Sequence, residues 1–91
     1  MNTEKLLKKC NECLNKTFNY DNGLVYEHGR PVSITVTKVE RDQVFAGVLV
    51  YNQMTFTDGY TSAPNSYCIG GEHFLNMTKQ ERSTTNCKSN Q

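Results

Sequence analysis

Two groups of residues in this sequence have types and spacing that could do chemistry. The first is Cys10-Asn11-Glu12-Cys13, which has the separation of a metal-binding or disulfide-exchange pair. A tetrahedral zinc site needs four ligands, so Cys68 and Cys87 would have to complete it, and those two do not form a second tight pair. A disulfide-exchange pair sits at a helix N-terminus after a strand, where the dipole stabilises a thiolate. Here both cysteines fall on the apolar stripe of an N-terminal helix, beside Leu6, Leu7 and Leu14, with no strand before them. A buried free cysteine packs as a small hydrophobe. The pair is therefore assigned to the core, and neither a metal nor another cofactor is expected.

The second group is a pair of Glu-His dipeptides, Glu27-His28-Gly29 and Gly71-Glu72-His73. A glutamate and a histidine are the minimum for general acid–base cleavage of RNA or for proton transfer. If the two dipeptides met, Arg30 would be placed to stabilise a developing anion. Neighbours on a strand point to opposite faces, so a working pair would have to form between strands. Glu27, His28, Glu72 and His73 are thus the catalytic candidates of a small hydrolase or nuclease. Their ordinary alternative is surface groups beside turns. No nucleophile elbow, phosphate-binding loop, dinucleotide glycine pattern or EF-hand loop accompanies them, which weighs against an enzyme.

Two surfaces could bind rather than react. Lys5, Lys8, Lys9 and Lys16 gather on one side of the N-terminal helix and could meet phosphates. The plain alternative is a solvated helix back, partly neutralised by Glu12. The longest irregular stretch inside the domain, residues 58–66, mixes tyrosine with serine, threonine and asparagine, a composition common in binding loops. Tyr60 and Tyr67 flank it, and Thr61 and Asn65 lie within it.

These groups must be positioned by a small α+β domain. On a helical wheel over residues 3–18, Leu6, Leu7, Cys10, Cys13 and Leu14 fall within an arc of about 120°. Thr3 is placed as N-cap, with Glu4 favourable in the first turn. Asp21-Asn22-Gly23 is turn chemistry. Residues 24–28 read as a short strand. Residues 32–40 alternate apolar and polar as a half-buried strand does, and the phase change at Val39 implies a bulge near Thr37-Lys38. The apolar run 44–51 reads as a central strand buried on both sides. Asn52-Gln53 reads as a turn, residues 54–56 as a further strand, and residues 67–69 and 72–75 as short apolar pieces about Gly70-Gly71. The expectation is a helix followed by a strongly bent antiparallel sheet, or an SH3-like or Sm-like barrel of about five strands. Residues 1–77 form the compact domain. Residues 78–91, whose one apolar side chain is Cys87, form a flexible tail opened by a capping-box pattern at Thr78-Lys79-Gln80-Glu81.

Composition narrows the function. Ten basic side chains oppose nine acidic ones, for a formal net charge of +1, which is not the balance of a dedicated nucleic-acid binder. No apolar run is long enough to cross a bilayer, and no signal-peptide core follows the first lysines, so a cytoplasmic protein without a membrane partner is expected. The sequence favours a non-enzymatic interaction module that binds a larger protein through Tyr60, Thr61, Asn65 and Tyr67, as viral or mobile-element accessory and inhibitor proteins do. Self-association is compatible with so thin a core. The alternatives are a small-barrel nucleic-acid binder using Lys5, Lys8, Lys9 and Lys16, and the hydrolase or nuclease built on the Glu-His pairs.

Overall fold

The structure, a computed structural model of the 91-residue chain, describes residues 2–78. Helix α1 spans Thr3–Asn11 and is followed by four strands, β1 (Thr17–Asn19), β2 (Pro31–Arg41), β3 (Val48–Phe56) and β4 (Tyr67–Gly70). A second helix, α2, occupies residues 71–78. The strands form one antiparallel sheet in the order β1-β2-β3-β4, and both helices lie on the same face of it.

The sheet is open, not the five-stranded barrel that was the alternative. β1 and β4 are its two edges and do not pair with each other. The face that closure would seal is filled by Leu6 and Cys10 of α1 and Phe74 of α2. Side chains bridge the two ends of the sheet: the Tyr20 and Tyr67 hydroxyls meet at 2.6 Å.

α1 begins one residue earlier than the Thr3 cap implies, because the Asn2 side chain accepts the Lys5 N–H at 2.9 Å. It ends at Asn11, short of residue 18. Asn15 takes a left-handed conformation (φ 67°) and donates to the Val36 carbonyl, so the chain turns away to start β1, a strand the helical stripe had concealed. Leu6 and Cys10 are buried, Leu7 and Cys13 pack at the margin, and Leu14 is left exposed.

Strict alternation governs β3. Val48, Val50, Asn52, Met54 and Phe56 are buried while the residues between them are half-exposed. The expected turn at Asn52-Gln53 is thus strand interior. The run 44–51 is also not one strand buried on both faces: Val44 and Phe45 protrude from the β2–β3 loop, and pairing starts at Val48. In β2 a register shift between Val36 and Lys38 returns Val39 to the core side, as the phase change in the sequence implied.

Residues 24–28 form no strand; a single antiparallel bridge joins Tyr26 to Gly29 within a tight loop. Residues 72–75 are helical rather than extended. The backbone enters α2 close to its neighbours, since a Cβ on Gly71 would stand 3.1 Å from Val48 Cβ and 3.2 Å from Cys10 Sγ. Thr78 belongs to this helix and not to a tail: it is buried and its hydroxyl donates back to the Phe74 carbonyl. The rest of the expected tail and capping box, with Cys87, lies outside the described residues.

Phe74 is fully buried and meets Phe18 of β1 edge-to-face, with centroids 5.5 Å apart at 85°. Truncating a fully buried phenylalanine costs about 3–5 kcal/mol. Phe74→Ala should therefore lower the urea midpoint sharply, and loss of β1 amide protection should accompany it in hydrogen exchange. A change below about 1 kcal/mol would show that α2 is not part of the core.

Candidate functional site

Among the described residues, Cys68 does not converge with Cys10 and Cys13. Cys10 is buried under α1, and burial, with the nearby Cys13 thiol, pushes its pKa up to about 11. Cys68 is exposed and alternates with buried Ile69, so it lies on the opposite face of the sheet. A thiol held protonated at the C-terminal end of a helix is a packing group, not a nucleophile.

The Glu-His dipeptides are also separated. His28 bonds to Asp58, just past the end of β3, while His73 stands beside Val48 at its start. Those ends are about 25 Å apart at the rise of an extended strand. Glu27 and Glu72 are exposed, and Arg30 pairs with Asp21 at 2.7 Å. The four candidates therefore do not share one site. His28 has found a different carboxylate, with Nδ1 2.8 Å from Asp58 Oδ2.

That bond belongs to an aromatic cluster at one end of the molecule. The His28 ring stacks on Tyr60 with centroids 3.8 Å apart and planes 12° from parallel. Buried Phe56 lies beneath both, and Tyr26 meets Phe56 edge-on at 5.6 Å. Local chemistry fixes these rings. Asp58 accepts the Tyr60 N–H at 2.8 Å across a turn in which Gly59 has φ +91°. Asp21 and Asn22 accept the Gly23 and Leu24 N–H groups, and the Asn22 amide donates to the Tyr26 hydroxyl at 2.7 Å. Gly29 has φ +99°, and a Cβ there would fall 2.0 Å from Thr57 Oγ1, so the loop can approach β3 only with glycine at this position.

The outer surface of this end is apolar. Leu24, Val25 and Tyr26 are 57%, 75% and 39% exposed, and Tyr60 is 46% exposed. Sequence reasoning found Tyr60 but missed Leu24 and Val25, whose apolar run resembles a strand. The turns Asn22-Gly23 and Gly29-Arg30-Pro31 bound a segment of five residues, longer than β1 or β4, so nothing in the sequence separated it from a strand.

The other residues expected to bind have internal duties. Thr61 meets Thr55 hydroxyl to hydroxyl at 3.1 Å. The Asn65 N–H donates to the Thr37 hydroxyl at 3.0 Å, which ties the 58–66 loop to β2. Tyr67 is half-buried against the core. Lys5, Lys8, Lys9 and Lys16 are exposed and make no ion pair among the described residues. No helix among the described residues is long and apolar enough to cross a membrane.

The chain matches no known protein family, no curated protein and no solved structure.

Two carboxylates set the acid limit of the site. The Gly23 N–H, then Arg30, hold Asp21 below the usual carboxylate range; the Tyr60 N–H, then His28, do the same for Asp58. A depressed folded-state pKa gives stabilisation that is complete above the unfolded carboxylate value of about 4 and is lost as pH falls through the folded value. The Gly23 and Tyr60 amide resonances should accordingly titrate with midpoints below 3.8, the ordinary aspartate value. Midpoints at or above it would mean the two turns are not held by ionised carboxylates.

Proposed function

We propose that the protein is a non-enzymatic interaction module that docks a larger protein through the end carrying Leu24, Val25, Tyr26 and Tyr60. The observation that carries this reading is the run of three consecutive exposed apolar residues, held by side-chain-capped turns beside a stacked aromatic pair. Scattered apolar residues are normal on a surface, whereas a contiguous, ordered group costs solvation and marks a contact. Of the surrounding charges, Arg30 pairs with Asp21 and Asp58 with His28, and Glu27 is exposed. They suit a polar rim around apolar anchors, the usual anatomy of a binding hot spot. Because the anchors project on loops, the complementary partner surface is an apolar cleft. Rings and loops that are already fixed lose little freedom on binding.

The test is capture from native lysate with the wild-type chain, Val25→Glu and Tyr60→Ala, with and without nuclease. A stoichiometric protein should survive nuclease and moderate salt with wild type. Each substitution should weaken its binding by about tenfold or more, equivalent to at least 1.4 kcal/mol. Circular dichroism should be unchanged for both, and the melting temperature unchanged for Val25→Glu, whose side chain is solvated, while Tyr60→Ala gives up its stack on His28 and should melt slightly lower. Capture that instead requires Lys5, Lys8 and Lys9 and vanishes with nuclease or salt would replace this reading with phosphate-backbone binding.

A further inference from the structure

Asn22 is followed by glycine, and no other asparagine in the sequence is. That pair permits a reaction of the chain with itself. The backbone nitrogen of the glycine attacks the side-chain amide carbon, and with no Cβ beside it the nitrogen is open to approach. Space is available here, since Gly23 has φ +79° and a Cβ on it would meet no atom within 4 Å. Both residues lie in the loop that carries Leu24, Val25 and Tyr26, with Asn22 half-exposed and Gly23 exposed.

Each polar atom that such a reaction changes already has a partner. The Leu24 N–H can only donate, so the Asn22 oxygen is the atom that meets it at 3.0 Å, and the Asn22 nitrogen is the atom 2.7 Å from the Tyr26 hydroxyl. The bond to Leu24 folds the side chain back along its own backbone, towards the Gly23 nitrogen, and sets a donor where negative charge would develop on Oδ1. The Gly23 N–H points at Asp21 Oδ1, 2.8 Å away. Asp21 is a weak base, because this N–H and then Arg30 hold it below the usual carboxylate range, so its contribution is position rather than basicity. Tyr26 is 39% exposed and can exchange protons with solvent. The one Asp-Gly pair, Asp58-Gly59, stands at the same end and differs. An ionised carboxylate resists attack by nitrogen, and the Tyr60 N–H, then His28, keep Asp58 ionised. The Gly59 N–H is donated to the Phe56 carbonyl.

We propose that Asn22 is a self-modifying site, converted in the folded chain through a succinimide to aspartate and isoaspartate. As the Gly23 nitrogen bonds to Asn22 Cγ, its proton passes to Asp21. The Cγ–Nδ2 bond breaks as Nδ2 takes a proton from the Tyr26 hydroxyl, so ammonia leaves. Solvent then returns a proton to Tyr26 and removes the one on Asp21. Water opens the ring in one of two ways. Breaking the new bond from Cγ to the Gly23 nitrogen leaves aspartate. Breaking the original peptide bond between Asn22 and Gly23 leaves isoaspartate, with the main chain rerouted through the side chain. Either product puts a carboxylate beside Asp21 in place of the amide that donated to Tyr26. The loop thereby undergoes a one-way change of charge next to Leu24, Val25 and Tyr26. That this weakens docking rests on the function proposed above, whereas the conversion itself does not.

Peptide mapping by mass spectrometry tests this, on the full chain incubated folded at neutral pH and in parallel in urea. In the folded chain Asn22 should lose the mass of ammonia and then gain that of water, while Asp58 stays aspartate. An isoaspartyl methyltransferase should label residue 22 of the converted chain. Conversion should be at least as fast folded as in urea, where the contacts of Asn22 with Leu24 and Tyr26 and of Gly23 with Asp21 are gone. Tyr26→Phe keeps the ring against Phe56 and removes the hydroxyl. It should slow conversion of the folded chain about tenfold or more and leave the rate in urea unchanged. Circular dichroism of this variant shows that it is folded when the rate is read. An Asn22 that converts more slowly folded than in urea overturns the proposal, and so does a folded-state rate that Tyr26→Phe leaves unchanged. Neither readout needs a partner protein, so failure of this conversion and failure of the capture experiment above are told apart.

Discussion

The structure depends on the edge-to-face contact of Phe18 and Phe74. β1 has only three residues and pairs with β2 alone, so its backbone bonds cannot hold it in place by themselves. Phe74 gives its inward side chain something to bury against, and α2 is thereby drawn across the sheet from β4 towards β1. With α1 and α2 on the inner face and the Tyr26–Tyr60 rings over Phe56, the five alternate residues of β3 are buried. Even Asn52 is carried in: its amide donates to the Val50 carbonyl, while its side-chain oxygen has no protein partner among the described residues. The same placement brings Tyr20 and Tyr67 together, and burial, aided by the Tyr67 hydroxyl, raises the Tyr20 phenol well above the ordinary tyrosine range.

What the sequence reveals of this fold is what local periodicity controls. The α1 stripe through Cys10, the alternation of Ile34 and Val36 in β2 and the bulge after Val36 are legible because one face of each element is buried and the other is wet, whereas Val32, beside a second register shift, is exposed. The failures share a cause. Residues 44–51 form a continuous apolar run, yet Val44 and Phe45 serve a loop and the remainder a strand with one buried face. Residues 72–75 are too few to separate a helical period from an extended one, and the contact that decides between them, Phe74 on Phe18, spans most of the chain. Leu14 continues the helical stripe in sequence, but the left-handed Asn15 and its bond to Val36 end the helix first.

Legibility of the site was similarly divided. Tyr60 was identifiable because Asp58-Gly59 forces a turn that presents the next side chain. Tyr67 was not distinguishable from it, since the difference is Tyr20, a residue far away in sequence whose hydroxyl holds Tyr67 inward. Asn65 and Thr61 have the chemistry of a binding loop, but the same hydrogen-bonding capacity fastens the loop to Thr37 and Thr55. The His28–Asp58 bond joins residues thirty positions apart. Neither half of it carries a signal that names the other.

The open face of the sheet is engaged with itself. Its hydroxyls satisfy one another, Thr17 with Thr35 at 2.8 Å and Thr55 with Thr61. Its aromatic residue, Tyr51, donates to Glu40 and lies under the Lys38 ammonium at 5.5 Å, and Glu40 pushes the phenol up to about 12. A ring engaged in this way is a poor platform for a stacked base, and the exposed lysines of α1 stand on the other layer. Helices cover the inner face. Exposed apolar side chains remain at the Leu24–Tyr60 end and, as the shorter pair Val44 and Phe45, in the β2–β3 loop. Of the two, the Leu24–Tyr60 end is the longer apolar run and is braced by the stacked His28 and Tyr60 rings, so its shape is set before any contact is made.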